Sequence, residues 1–183
     1  MKESHGFRIE KVQSLATYSF LGVESRTVRT PNGDDVERII VTHPGAVAIV
    51  PMINADIVLI EQYRASIDRV ILEIPAGKLD ASDVSMEAAA HRELLEETGF
   101  VTEGFTRLTS IWPTVGFSDE NITIFLAEDL MPGSSAPEGA EELAAVVKRF
   151  PFSQAVEMVV RGEITDSKTI AGIMIADAHR RAP

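Results

Sequence analysis

Three glutamates, Glu93, Glu96 and Glu97, stand close together in the segment HRELLEETGF, residues 91–100. On a helix they fall at positions i, i+3 and i+4, so their carboxylates share one face. Two like charges at i and i+4 cost about 0.2–0.5 kcal/mol, and the last turn of a helix favours cations over acids. A bound divalent cation would relieve both conflicts, because clustered hard oxygens suit Mg²⁺ or Mn²⁺. The spacing therefore predicts a metal site, although a solvated acidic face has the same pattern.

The segments around these acids favour the metal site over the solvated face. Residues 84–98 are predicted to form a helix that Asp83 or Ser85 caps at its N-terminus. Gly99 suits the position that follows the helix. The strand predicted before it, RVILEIPAG, ends at Gly77, where the backbone can approach a ligand closely.

The rest of the chain alternates between strand and helix patterns. Predicted strands are LATYSFLGVESRTVR, DVERIIVTH, GAVAIVPM, DIVLIEQYR, FTRLTSIWP, NITIFLAEDL and AAVVKRFP, with turns at residues 31–34 and 54–56. Predicted helices are SQAVEMVVRG and SKTIAGIMIADAHRR, the second with an apolar stripe of Ile170, Ile173, Met174 and Ala178. This order predicts an α/β or α+β fold in which a mixed β-sheet is packed between helices.

Charge and composition exclude several classes of partner. The 183 residues carry a formal net charge of −11, which repels nucleic acid and anionic lipid. No apolar run approaches membrane-spanning length, and there are no cysteines for disulfides or thiolate metal sites. We therefore expect a cytoplasmic protein that binds neither nucleic acid nor membrane. If its substrate is an anion, a cation must mediate the contact.

Residues 77–100, GKLDASDVSMEAAAHRELLEETGF, resemble the Nudix box. That motif reads G, five residues, E, seven residues, then R-E-U-x-E-E-x-G-U, where U is apolar, and its second half matches at every specified position. In the Nudix hydrolase family the helix glutamates bind Mg²⁺ or Mn²⁺, the arginine orients them, and a backbone carbonyl completes the shell. The resemblance implies metal-ligand roles for Glu93, Glu96, Glu97 and the carbonyl of Ala76 or Gly77, and an orienting role for Arg92.

The first half of the box departs from the family pattern. Asp83 stands where the first glutamate belongs, and one extra residue separates it from Arg92. The insertion lies in the loop before the helix, so the metal-binding face can be kept. The family's role for this position is not carried over to Asp83.

Other segments resemble the ADP-ribose pyrophosphatase branch of the family. They are VLIEQYR, LEIPAGKLD, GFSDENITIFLAEDL and GEITDSKTIAG. The resemblance implies that Arg64 contacts the substrate diphosphate and that Glu73 lies near the metals and phosphates. From the residue types alone, either could instead be an exposed residue of a strand.

The loop PTVGF, residues 113–117, differs from the branch, which reads PSPGF there. Gly116 and Phe117 are kept and are predicted to bind substrate, whereas Val115 replaces a proline taken as diagnostic of ADP-ribose preference. This replacement leaves other nucleoside diphosphate substrates open. Trp112 and Phe117 could stack on adenine, but their residue type favours core packing.

The branch places its general base, a glutamate, on a mobile loop after the strand that contains TIFLAEDL. Here that loop is the Pro/Gly/Ser-rich stretch 131–141, which could close over substrate. Glu142 precedes LAAVV, which resembles the family's E-x-I-x-V context, so Glu142 is the first candidate and Glu141 the second. Such a base would remove the proton from the attacking water.

The leading hypothesis is a divalent-metal-dependent hydrolase that cleaves the diphosphate of a nucleoside diphosphate linked to another moiety. ADP-ribose, giving AMP and ribose 5-phosphate, is the first substrate candidate, and another NDP-sugar, a dinucleotide or an oxidised nucleotide is the alternative. A non-catalytic ADP-ribose sensor is a third hypothesis, which the intact box glutamates oppose. The resemblance also implies a Nudix-type sandwich over residues 44–183 and a homodimer with strand exchange in the β-strand region 1–43.

Overall fold

The computed structural model describes residues 4–133 and 144–182. The chain forms two compact units. The first comprises Met1–Gly45 and Trp112–Asn121, and the second comprises Ala46–Ile111 and Ile122–Pro183.

The first unit is built on an antiparallel sheet of three strands in the order β1-β2-β3. The strands are β1 (Arg8–Tyr18), β2 (Leu21–Arg29) and β3 (Asp35–Thr42). The turn predicted at residues 31–34 is confirmed, with Gly33 in the left-handed region at φ 91°. The sequence pattern did not predict the turn between β1 and β2, where Ser19 has φ 52° and divides one apparent strand segment into two.

The segment Trp112–Asn121 belongs to this unit because it is hydrogen-bonded to the end of β3. The backbone N–H of Val41 donates to the carbonyl of Phe117 at 2.7 Å, and the backbone N–H of Asp119 donates to the carbonyl of Val41 at 3.2 Å. The Asp119 carboxylate also accepts from the guanidinium of Arg26 on β2 at 3.2 Å. A segment distant in sequence is thus tied to two strands of the sheet.

The second unit is built on a mixed sheet of seven strands. They are β4 (Ala46–Ile53), β5 (Asp56–Arg64), β6 (Arg69–Glu73), β7 (Ala76–Lys78), β9 (Phe105–Ile111), β10 (Ile122–Ala127) and β12 (Val146–Pro151). The main path is β12-β5-β4-β10-β9, while β6 pairs with β5 and β7 pairs with β4. Strands β4 and β10 are parallel, and the other pairs are antiparallel. The predicted turn between β4 and β5 is confirmed, with Asn54 at φ 56°.

Two short strands, β8 (Phe100–Val101) and β11 (Met131–Pro132), form a separate antiparallel pair. The prediction that residues 131–141 form a loop throughout is wrong at its start, since Met131 pairs with Val101. A strand of two residues has no periodicity that a sequence pattern could detect.

Three helices complete the described part of the second unit: α1 (Met86–Thr98), α2 (Phe152–Val160) and α3 (Ser167–Arg181). Of the two N-cap candidates for α1, Ser85 is the one that caps, because its side chain accepts from the backbone N–H of Ala88 at 3.0 Å. Gly99 follows α1 in the left-handed conformation, as predicted. No helix in the described ranges is long and apolar enough to cross a membrane.

The sheet of the second unit is covered by helices on both faces. Alternate residues of β4, from Ala46 to Met52, pack with buried residues of α2 and α3, whereas Val47 and Ile49 pack with α1. This is the alternation that a strand buried on both faces requires. The predicted fold class, a mixed sheet packed between helices, is confirmed.

The apolar stripe predicted for α3 is partly wrong. Met174 and Ala178 are exposed, and the buried face runs instead through Thr169, Gly172, Ile173 and Ala176. A Cβ on Gly172 would lie 2.9 Å from Ile74 Cδ1, so the missing side chain lets α3 approach the sheet closely. The buried face of the helix therefore combines the large side chain of Ile173 with the small residues Gly172 and Ala176.

Candidate active site

The acidic face of α1 lies against the short strand β7. The Glu93 carboxylate is buried and lies so close to Gly77 that a Cβ there would overlap it. Glu97 Oε2 accepts a hydrogen bond from the backbone N–H of Ala76 at 2.8 Å. Two of the three acids therefore converge on β7, and the glycine of that strand leaves the space that the Glu93 carboxylate occupies in this rotamer.

Arg92 connects the acids of α1 with the loop that precedes the helix. Its Nη1 donates to Glu93 Oε1 at 2.6 Å and to Glu96 Oε2 at 3.2 Å. Its Nη2 donates to Asp83 Oδ2 at 3.1 Å and to the carbonyl of Lys78 at 3.3 Å. Burial lowers the pKa of Arg92, but the hydrogen bond to Asp83 and the charge of Glu93 outweigh it and raise the pKa.

Asp83, whose role the sequence left open, is a partner of Arg92. Besides the guanidinium of Arg92, its carboxylate accepts the backbone N–H of Asp80 at 2.8 Å, which closes the loop on itself. The hydrogen bonds from Arg92 and from the Asp80 backbone lower the pKa of the Asp83 carboxyl. The loop with the extra residue thus keeps a carboxylate in contact with Arg92.

The donor set on α1 fits a hard divalent cation. Three carboxylates stand on one helix face, and two of them reach the strand that carries the carbonyl of Ala76. Among the residues that the structure describes, no three acidic or histidine side chains stand close enough together to hold a metal ion as they are placed. Glu93 and Glu96 are held by Arg92 instead, so a cation would share these carboxylates with the guanidinium.

A second cluster lies at the end of β6. Glu73 is 1% exposed, so the alternative that it is a surface acid is wrong. Arg64 of β5 binds it through two hydrogen bonds, Nε to Oε1 and Nη2 to Oε2, both at 2.6 Å. Burial raises the pKa of Glu73, but the hydrogen bonds and charges of Arg64 and Lys168 outweigh it and hold the pKa below its ordinary value.

The two clusters act on each other electrostatically. The hydrogen bonds that Arg64 donates to Glu73 are the main cause of a raised pKa for Arg64, and the negative charge of Glu97 on α1 adds to it. Arg64 keeps 35% of its side chain exposed. The acidic face of α1 and the partly exposed Arg64 thus stand within electrostatic reach of each other. A cation bound at that face would, together with Arg64, suit a substrate that carries several negative charges.

Lys168 and Asp166 belong to the second cluster, and sequence reasoning missed both. Lys168 Nζ donates to the Glu73 carboxylate and, at 3.0 Å, to Asp166 Oδ2. Asp166 is also the N-cap of α3. The available signal was a lysine two residues after an N-cap aspartate in the segment TDSKT, but only the fold shows that this lysine is buried against β6.

The remaining predicted site residues belong to neither of these two clusters. Gly116 and Phe117 are in the first unit, in a turn where the backbone N–H of Phe117 donates to the carbonyl of Thr114 at 3.1 Å. The prediction that Trp112 and Phe117 pack in the core is wrong, because these residues are 61% and 56% exposed. Glu141 and Glu142, the candidates for general base, lie outside the described residues.

The family pattern of the NUDIX domain matches residues 42–171 of the chain. The match covers most of the chain and includes β7, the loop and α1, where the acids, the arginine and the glycine are brought together. The chain belongs to the Nudix family.

Its similarity extends to particular relatives. The chain is 37% identical to the ADP-ribose pyrophosphatase of Bacillus subtilis (strain 168) over 147 residues, and these residues cover 80% of this chain and 79% of that protein. It is 35% identical over 175 residues to the ADP-ribose pyrophosphatase of Mycobacterium tuberculosis (strain ATCC 25618 / H37Rv), which is 95% of this chain and 84% of that protein. The predicted resemblance to this branch is confirmed.

A solved structure shows the same fold. The crystal structure of an ADP compounds hydrolase superposes with a TM-score of 0.81 at 23% sequence identity, covering 98% of this chain and 96% of that one. The predicted Nudix-type architecture is confirmed by this likeness.

Proposed function

We propose that this protein is a divalent-metal-dependent Nudix hydrolase that converts ADP-ribose into AMP and ribose 5-phosphate. The observation that carries the proposal is the convergence of Glu93 and Glu97 on β7, within electrostatic reach of the partly exposed Arg64. The similarity to two ADP-ribose pyrophosphatases over most of the chain supports the choice of substrate.

Glu93, Glu96 and Glu97, with the carbonyl of Ala76, would hold the ion, and Mg²⁺ or Mn²⁺ suits their hard oxygens. When bound, such an ion lowers the pKa of a water molecule and neutralises phosphate oxygens. Arg92 orients two of the acids through its bonds to Glu93 and Glu96. The pairing with Arg92 also limits the repulsion among the acids before an ion arrives.

Arg64 would bind the substrate diphosphate. A guanidinium has five N–H donors, and Glu73 accepts from two of its nitrogens, so further donors remain on the outer edge. That edge matches the geometry of phosphate oxygens. Gly116 and Phe117 are proposed as further substrate contacts, and the exposed ring of Phe117 could stack on the base.

The proton of the attacking water would be removed by Glu142, with Glu141 as the second candidate. This assignment rests on the family resemblance of the segment before LAAVV. Replacing each glutamate with glutamine in turn identifies the base, because only its loss should remove the acidic limb of the pH–rate profile.

A homodimer formed through the first unit accompanies this proposal. Apolar side chains of β1, namely Ile9, Val12, Leu15 and Tyr18, are each at least half exposed. Burying apolar surface contributes about 25 cal/mol per Å², so a second copy could cover this strand favourably.

The absence of cysteines fits a cytoplasmic location, and the net charge of −11 opposes nucleic acid as a partner.

The decisive test is hydrolysis by matched glutamine variants of α1. Glu96→Gln and Glu97→Gln should each lower kcat/KM for ADP-ribose by about 100-fold or more, since even residues that only support metal ligands cost about 10- to 100-fold. Glu87→Gln, an exposed acid in the first turn of the same helix, is the control and should retain full activity. Turnover like that of the unchanged protein in both site variants would refute the mechanism.

Val115 favours a second candidate function within the same reaction class. It replaces the proline associated with ADP-ribose preference, and its side chain is exposed. The substrate could then be another NDP-sugar, a dinucleotide or an oxidised nucleotide. Nucleotide release measured across such a panel separates these substrates, and tight ADP-ribose binding without turnover in Mg²⁺ or Mn²⁺ would instead identify a sensor.

A further inference from the structure

Glu73 is held by two cationic side chains that come from different elements. Both of its oxygens accept from Arg64 of β5 at 2.6 Å, and Oε2 also accepts from Lys168 of α3. The carboxylate is 1% exposed, and protein donors satisfy it. A carboxylate engaged in this way acts as an anchor for the guanidinium.

Lys168 is itself held in place by the first turn of α3. Asp166 Oδ2 accepts from Lys168 Nζ at 3.0 Å, from the backbone N–H of Thr169 at 2.9 Å and from its hydroxyl at 2.6 Å. The backbone N–H of Ile74, the residue after Glu73, donates to Thr169 Oγ1 at 2.9 Å. The lysine and the carboxylate that it binds are therefore tied to the same junction of helix and strand.

The charges of this cluster balance. Arg64 and Lys168 supply two positive charges, and Glu73 and Asp166 supply two negative charges. Without the lysine, two carboxylates would share a poorly solvated site with a single cation, and their repulsion would favour a different arrangement of the pair Arg64–Glu73.

We infer that Lys168 is a positioning residue for Arg64. It fixes the Glu73 carboxylate, and the carboxylate fixes the plane of the guanidinium so that its outer edge meets the substrate diphosphate. This inference rests on the proposed role of Arg64 and deepens it, because it assigns the orientation of Arg64, on strand β5, to a buried lysine on α3 that acts through Glu73.

A double-mutant cycle tests the inference. The variants are Lys168→Met, Arg64→Ala and the double variant, and the readouts are kcat and KM for the substrate that the unchanged protein cleaves fastest in the panel above. Lys168→Met should lower kcat/KM by about 10- to 100-fold, as displacing a positioning group by about 1 Å does, and the loss should fall mainly on KM. Because Lys168 acts through Arg64, the double variant should lose no more than Arg64→Ala alone.

Two further variants separate positioning from simple loss of stability. Lys168→Arg keeps the charge and should recover most of the loss in KM. Lys148→Met removes a lysine that binds Glu61 of β5 at 2.7 Å on the surface, so it should leave KM unchanged. If Lys168→Met fails to fold, Lys168→Gln, which removes the charge but keeps a hydrogen-bond donor, takes its place in the cycle.

The outcomes distinguish this inference from the proposed function. Losses that multiply in the double variant, or a Lys168→Met variant with unchanged KM, would overturn the inference while ADP-ribose hydrolysis stands. If the unchanged protein cleaves no substrate in the panel, the proposed function is wrong. The same double-mutant cycle is then measured with the Kd of ADP-ribose in EDTA as the readout. Absence of binding there would overturn the inference as well.

Discussion

Gly77→Ala is expected to disable the site while the fold stays in place. A Cβ on Gly77 would overlap both oxygens and the carboxyl carbon of Glu93. The obstacle is the end of a flexible side chain, so Glu93 can rotate away and the backbone need not move. The variant keeps every acid of the proposed metal-binding face and displaces only one of them.

The structure gives the size of the two effects. Overpacking costs typically about 1–3 kcal/mol, and the freedom of the Glu93 side chain favours the lower end of that range. The rotation would also break the 2.6 Å ion pair with Arg92 Nη1. The carboxylate must move by about 1 Å or more to restore van der Waals contact, a displacement that costs about 100-fold in rate.

The assay compares kcat/KM with the melting temperature in Gly77→Ala. We expect a loss of about 100-fold in kcat/KM with a small decrease in melting temperature. Gly104→Ala is the control, because a Cβ there meets no atom within 4 Å. Full activity in Gly77→Ala would show that the position of Glu93 against β7 is not needed for the reaction, which would refute the reasoning.

Three further predictions concern stability. Ser85→Ala should lower the free energy of unfolding by about 1 kcal/mol, since the N-cap of α1 is lost; no change in urea unfolding would contradict the cap. In Gly172→Ala the Cβ, 2.9 Å from Ile74 Cδ1, should cost about 1–3 kcal/mol in packing, and alanine's helix propensity offsets about 1 kcal/mol of it, so the net loss in the same assay should be about 0–2 kcal/mol; a variant more stable than the unchanged protein would disprove the tight packing. The lowered pKa of Glu73 means that its ion pairs stabilise the protein above about pH 4.3 and that this contribution is lost as the pH falls through the lower folded-state pKa. The stability difference between the unchanged protein and Glu73→Gln should therefore shrink below about pH 4, and a constant difference would contradict the assignment.

Local patterns in the sequence predicted the acidic helix well. Ser85 and Gly99 are capping residues whose preferences act over a few residues, so the end of α1 was predicted at Thr98 and its start to within two residues of Met86. The shared face of Glu93, Glu96 and Glu97 follows from helical spacing alone. The alternation of β4 likewise follows from neighbouring residues.

Contacts between distant segments were not predictable in this way. Lys168 lies 95 residues from Glu73, and no local preference indicates that the two would meet. The buried face of α3 differs from the predicted stripe because the helix approaches Ile74 closely at Gly172. The sequence pattern does not reveal that Ile74 is a neighbour. Asp83 contacts Arg92 because the loop between them closes on itself, and the hydrogen bond from the Asp80 backbone stabilises that closed shape.

A crystal structure with Mg²⁺ and a non-hydrolysable ADP-ribose analogue tests the central claim most directly. The account predicts a cation bound by Glu93, Glu96 and Glu97, with the outer edge of Arg64 on the diphosphate of the analogue. An analogue bound away from α1, with these three carboxylates free of any cation, would contradict it.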